Sequence, residues 1–169
     1  RRPRRGRSLR RRCSGGAILV APPGERGVWW QGTLARSPLS GGAVRPVLDD
    51  VVSADWSPDG TWIVVAGADS KGSGLFKIPA DGGPAVRLMS GQLVNPAWSP
   101  LGNLIVYGGP AVGGRVPLLA VRSDGTRVDL PEVQTPLGGA HRFVPDGTGL
   151  VYRPRSHPRD FWLLDFATN

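Results

Sequence analysis

Short apolar runs alternate along the chain with clusters of Gly, Pro, Asp and Ser. Ile63-Val64-Val65, Ile105-Val106-Tyr107 and Leu150-Val151-Tyr152 are rich in β-branched and aromatic residues and apolar at consecutive positions. A strand with that pattern is covered on both faces. No stretch keeps a helical period over about ten residues, so almost no helix is expected. A turn of fixed chemistry precedes each run: Trp56-Ser57-Pro58-Asp59-Gly60, Trp98-Ser99-Pro100-Leu101-Gly102 and Phe143-Val144-Pro145-Asp146-Gly147. Pro sets φ at the second turn position, Asp bonds its own backbone, and Gly takes the left-handed conformation that closes the hairpin. Leu101 replaces the turn Asp in the second copy, which predicts the same turn with one side-chain hydrogen bond fewer. Val144 replaces Ser in the third, and Gly149 weakens the strand that follows.

The turns return at a steady interval. Trp98 lies 42 residues after Trp56 and Phe143 lies 45 after Trp98. A worn copy, Gly16-Ala17-Ile18-Leu19-Val20, lies 44 residues ahead when Gly16 is matched to Gly60. A second motif keeps the same period: Leu34-Ala35-Arg36-Ser37-Pro38-Leu39-Ser40-Gly41-Gly42 matches Leu75-Phe76-Lys77-Ile78-Pro79-Ala80-Asp81-Gly82-Gly83, 41 residues on. Leu119-Ala120-Val121-Arg122-Ser123-Asp124-Gly125 is a third copy, and residues 163–169 begin a fourth. A period of ~40–45 residues with about four strands per unit is the signature of a β-propeller blade. The expected fold is therefore all-β: an incomplete arc of three to four four-stranded antiparallel blades over residues 15–169, with repeats at 15–52, 53–94, 95–138 and 139–169. The blades at its two ends would present uncapped apolar faces.

Composition changes this picture at one end. Of 169 residues, 25 are Gly and 17 Pro, which suits many tight turns. The net charge of +8 belongs to a tail: eight of the first twelve residues are Arg, and residues 13–169 hold 13 basic and 13 acidic side chains. Residues 1–14 are expected to be disordered, because such a run repels itself and buries nothing. The run reads as a solvated end, a juxtamembrane remnant or a truncated start; a contact to nucleic acid or anionic lipid is the rival, not favoured without an aromatic stacking partner. Only five apolar residues, 17–21, stand between the Arg run and Pro22-Pro23, short of the ~7–15 of a signal-peptide core. Met89 is the one Met, so the chain reads as a piece of a longer product. A single cysteine, Cys13, excludes an internal disulfide and a Cys-based zinc cage.

The Trp-Ser-Pro-Asp-Gly-x-x-Ile/Leu-Val-Tyr pattern resembles the WD-like repeats of TolB-type bacterial β-propellers and of the propellers of prolyl-oligopeptidase-like enzymes. Residues 74–83, 142–152 and 160–165 are similar to the propeller that follows the kinase domain in some bacterial serine/threonine kinases. The resemblance implies a binding or sensing module on the periplasmic or extracytoplasmic side of a bacterial membrane. It carries over no functional residue, because the matching positions are those of the structural repeat: Trp56, Pro58, Asp59, Gly60, Trp98, Pro100, Gly102, Phe143, Pro145, Asp146 and Gly147. Kinase motifs are absent, since Phe follows His141-Arg142 and Ala follows Asp165-Phe166.

Few other residues suggest chemistry. Gly72-Ser73-Gly74 lacks the spacing of a nucleophile elbow and reads as a strand connection. His141 and His157 lie 16 apart with no Cys nearby, and read as polar surface rather than as metal ligands. Asp59, Asp81, Asp124 and Asp146 could bind a cation or basic peptide at one end of the propeller, but turn chemistry accounts for them. Trp29 and Trp30 point to opposite faces of a strand; both fit between blades, and an exposed Trp at a partner-binding rim is the rival. Arg153, Arg155 and His157 belong to a basic, Pro-rich loop that could meet an acidic partner. The reading is a non-catalytic module for protein or ligand binding, with no cofactor or metal, no enzyme activity of its own, and a membrane link only through a segment outside the chain. The alternative is the substrate-gating propeller of a prolyl-oligopeptidase-like hydrolase.

Overall fold

The computed structural model describes residues 16–20, 32–37, 43–153 and 161–166. The Arg-rich tail, Trp29, Trp30, Arg155 and His157 lie outside the described residues. Among those described there are fourteen strands and no helix. β1 (Gly16–Val20), β2 (Gly32–Ser37), β3 (Arg45–Trp56), β4 (Trp62–Asp69), β5 (Gly72–Pro79) and β6 (Val86–Ser90) hydrogen-bond in chain order. This six-stranded sheet is two blades joined by one strand. Residues 45–48 of β3 pair with β2, residues 53–56 pair with β4, and Val51 between them pairs with both, opposite Gly32 and Gly67. Asp50 marks the changeover with φ 59°, a left-handed conformation that Asp tolerates, and the register slips between Val51 and Ser53.

The third blade holds β7 (Val94–Trp98), β8 (Ile105–Gly108), β9 (Arg115–Val121) and an outer edge in two pieces. Those pieces, β10 (Arg127–Val128) and β11 (Gln134–Pro136), both pair with β9. Pro131 lies between them and lacks the N–H that a continuous ladder needs. The fourth blade holds β12 (His141–Phe143), β13 (Gly149–Tyr152) and β14 (Trp162–Asp165). The arc is thus an incomplete β-propeller, antiparallel throughout. β7 packs against β3 on one side and β12 on the other, so the strands that follow each blade junction form its inner row.

The consecutive apolar positions are explained by alternation. In β4, Val64 and Ala66 face the third blade, in a cluster with Leu93, Trp98, Ile105 and Tyr107. Ile63 and Val65 face the first blade, with Leu34 and Val51. In β8, Ile105 and Tyr107 join the cluster shared with the second blade, while Val106 packs with Leu118, Ala120 and Leu150 toward the fourth. Each fully buried aliphatic side chain contributes about 1.5–3 kcal/mol, and a blade without neighbours would lose that on both faces.

Register corrects the alignment of the worn copy. Gly16 pairs with Ser37 as Ile63 pairs with Ile78, and Ser37-Pro38 matches Ile78-Pro79. Gly16 therefore occupies the position of Ile63, three residues beyond that of Gly60.

Candidate functional site

Two sets of turns gather at one end of the blades. After each inner strand, Gly60, Gly102 and Gly147 donate N–H to the carbonyls of Ser57, Ser99 and Val144 at 2.9 Å. Their φ angles are 74°, 78° and 79°, which a side chain would strain. Asp59 accepts from Ser57 Oγ (2.6 Å) and from Thr61 N–H (3.0 Å). These bonds, that from Ser57 first, hold its carboxyl below the usual carboxylate range. Asp146 likewise accepts Thr148 N–H at 3.0 Å, and that bond lowers its pKa. The Leu101 turn survives without a carboxylate, using Leu101 N–H to Ser99 Oγ (3.2 Å), and leaves Leu101 63% exposed. The second set closes beside the first: Ala80 N–H donates to Thr61 O and Phe166 N–H to Thr148 O.

Three ties cross the junction between the second and third blades. Asp55 Oδ2 accepts Trp98 N–H at 2.8 Å, while its Oδ1 accepts Trp56 N–H. Ser53 Oγ accepts Asn95 N–H at 2.9 Å. Lys77 Nζ donates to Ser123 O at 2.8 Å and lies 4.5 Å from the Trp62 ring centroid. The Lys77 tie repeats one blade earlier, where Arg36 donates to Ala80 O at 2.9 Å. Arg36 and Lys77 hold the same place in the second motif, as do Ala80 and Ser123. That regularity was visible in the aligned motifs as a base recurring beside a turn; the Asp55 bond had no such repeat to announce it.

The junction to the fourth blade is held differently. Ala120 stands at the place of Lys77 and Ala97 at that of Asp55, by their pairing with β8. Asn95 Nδ2 reaches Gly139 O at 3.3 Å, and His141 Nε2 lies 3.4 Å from Val106 O. His141 is 6% exposed, not polar surface as its sequence context suggested, and burial pushes its pKa down. Its Nδ1 is buried without a partner.

Two clefts open on the turn-bearing face. One of about 360 Å³ lies between the second and third blades and is lined by Asp59, Trp62, Lys77, Trp98, Leu101 and Ser123, among others. The other, about 220 Å³, is walled by Trp98, Pro100, Phe143 and Pro145, with Asp55, Ala97 and Arg142 across it. A third cavity of about 330 Å³, at the opposite end, is mostly apolar and includes Leu93, Val94, Val116 and Leu137. Thus Pro58, Asp59, Trp98, Pro100, Gly102, Phe143 and Pro145 come together on one face. Trp56 instead packs beside the cluster shared with the first blade. Arg153 is half-buried at the end of β13, its Nε without a partner. Among the described residues, no three His, Cys, Asp or Glu side chains group as metal ligands, and Ser73 has no histidine partner.

Comparison with solved structures places this architecture. TolB from Acinetobacter baumannii matches with a TM-score of 0.67 and 20% identity, over 90% of this chain and 39% of that one. The β-propeller domain of the Trilobed protease from Pyrococcus furiosus matches with a TM-score of 0.60 and 13% identity, over 92% of this chain and 52% of that one. The acylaminoacyl peptidase of Pyrococcus horikoshii matches at 0.62 and 14%, over 90% of this chain and 30% of that one. No protein-family profile and no curated sequence matches. The chain has the fold of a TolB-like β-propeller and spans between about a third and a half of the length of these proteins.

Proposed function

We propose that this propeller segment is a non-catalytic module that binds a protein or peptide partner on its turn-bearing face. The observation that carries the reading is the pair of clefts between blades on that face, built from turn residues already fixed by their own hydrogen bonds. A rigid rim loses little conformational entropy on binding, and opposite charges (Asp59 with Lys77, Asp55 with Arg142) suit a peptide backbone with polar side chains. On the finer reading, supported by the kinase-like segments at residues 74–83 and 142–152, the module is the extracytoplasmic sensor of a bacterial envelope serine/threonine kinase. The second reading, substrate gating for a hydrolase, draws on the fold shared with the acylaminoacyl peptidase. The adjoining coding sequence separates them: a kinase domain and a membrane span upstream, or a serine hydrolase domain downstream. The binding reading itself is tested by panning a random peptide library against the chain and mapping enriched peptides by amide chemical shifts. Shifts grouped at residues 57–62, 98–102 and 142–147 are expected. Shifts grouped at the opposite end, or no enrichment, overturn it.

A further inference from the structure

One position recurs on the three inner strands: Asp55, Ala97 and Arg142, which pair with Val64, Val106 and Val151. The aromatic residue after each of them has a backbone N–H of known direction. Ser99 N–H donates to Leu104 O, so the adjacent Trp98–Ile105 pair is a non-hydrogen-bonded one and Trp98 N–H points away from β8. Asp55 meets it there with a carboxylate at 2.8 Å. One blade on, Val144 N–H donates to Gly149 O, so Phe143 N–H points away from β13 in the same sense. The residue placed to meet it is Ala97, which has no carboxylate. The 220 Å³ recess opens at this place, with the exposed Arg142 on its rim and Trp98, Pro100 and Pro145 as walls.

We propose that this recess binds an acidic side chain of a peptide partner, whose carboxylate accepts from Phe143 N–H and pairs with the Arg142 guanidinium. The molecule supplies its own template, since Asp55 makes the corresponding bond one blade earlier. The inference rests on the reading that the turn-bearing face binds peptide, and names the group this site takes. Asp55 is the acid among the lining residues, and its two oxygens are already turned to Trp56 and Trp98.

The test titrates the 169-residue chain with the blocked peptides Ac-Ala-Glu-Ala-NH2 and Ac-Ala-Gln-Ala-NH2, and with Ac-Ala-Ala-Ala bearing a free C-terminus, following the Phe143 amide resonance. The Glu peptide is expected to shift it at millimolar concentration, and the Gln peptide to bind about tenfold more weakly. Ala97→Asp places a carboxylate in the recess from within; it should abolish the shift while the thermal midpoint holds or rises. Arg142→Gln, at an exposed position that folding tolerates, should weaken the Glu peptide about tenfold and keeps the test open if Ala97→Asp fails to fold. Equal binding of the Glu and Gln peptides, or preference for the free C-terminus, overturns the proposal. So does binding unaffected by both substitutions, a result that leaves peptide binding elsewhere on the face intact. Library panning judges the broader reading independently.

Discussion

Asp55→Ala removes one carboxylate and leaves two backbone donors without their acceptor, Trp56 N–H at 2.9 Å and Trp98 N–H at 2.8 Å. Trp98 is buried in the cluster between the second and third blades, so water does not readily replace the lost acceptor. A hydrogen bond to a charged group contributes about 1.5–3 kcal/mol, and Asp55 is only half-buried, so the combined loss is placed at about 2–3 kcal/mol. For a chain of this length that lowers the thermal midpoint by roughly 5–10 °C. Amide hydrogen exchange resolves where the loss occurs. Trp98 N–H should exchange about thirtyfold faster at a loss of ~2 kcal/mol, while Leu150 N–H in β13 changes little. Asp55→Asn keeps one carbonyl acceptor and should lose less. A midpoint within 1 °C of the parent, together with unchanged exchange at Trp98, would refute the assignment of Asp55 as the tie between these blades.

Lys77→Met keeps the side-chain stem over Trp62 but loses the bond to Ser123 O and the cation–π contact; a midpoint lower by about 2–4 °C is expected in a thermal melt, from ~1 kcal/mol. Gly67→Ala places a Cβ 2.6 Å from Asp50 O and 3.4 Å from Val51 Cα, both backbone, so urea unfolding should show a loss of about 1–3 kcal/mol. His141 has a folded-state pKa below the ordinary 6.5, so its neutral form favours the folded state. That contribution is full above pH 6.5 and is lost as pH falls from there through the lower folded-state value. The urea midpoint of the parent should therefore drop on acidification below pH 6.5, and His141→Gln should remove that part of the drop; parallel pH profiles would contradict it.

The turns were legible in the sequence because their causes are local. Pro, Asp and Gly act on their own backbone, so Asp59 and Asp146 bond Thr61 and Thr148 as their order suggests. The doubly buried strands were legible for a similar reason: an apolar residue at every position of 63–65 has only one use in a sheet. The ties between blades were not. Asp55 and Trp98 are 43 residues apart, and a lone acid before a Trp carries no mark of what it will meet across a junction. His141 misled because a lone histidine in an apparent loop reads as polar surface, whereas register on β12 turns it onto Val106 O. The slip at Gly16 arose from matching one glycine to another when the strand pairing, set by Ser37, carries the phase. The split of the third blade's outer edge was marked only by Pro131.

The passage of β3 from the edge of one blade to the inner row of the next has a consequence for how such a molecule is divided. A gene segment cut at the first repeat boundary, between residues 52 and 53, ends in mid-ribbon, so each of the first two units carries part of one strand and must borrow the rest. Units of this kind lengthen a row readily and live poorly alone, and a protease seeking to part the first two would find no hinge at the handover to cut.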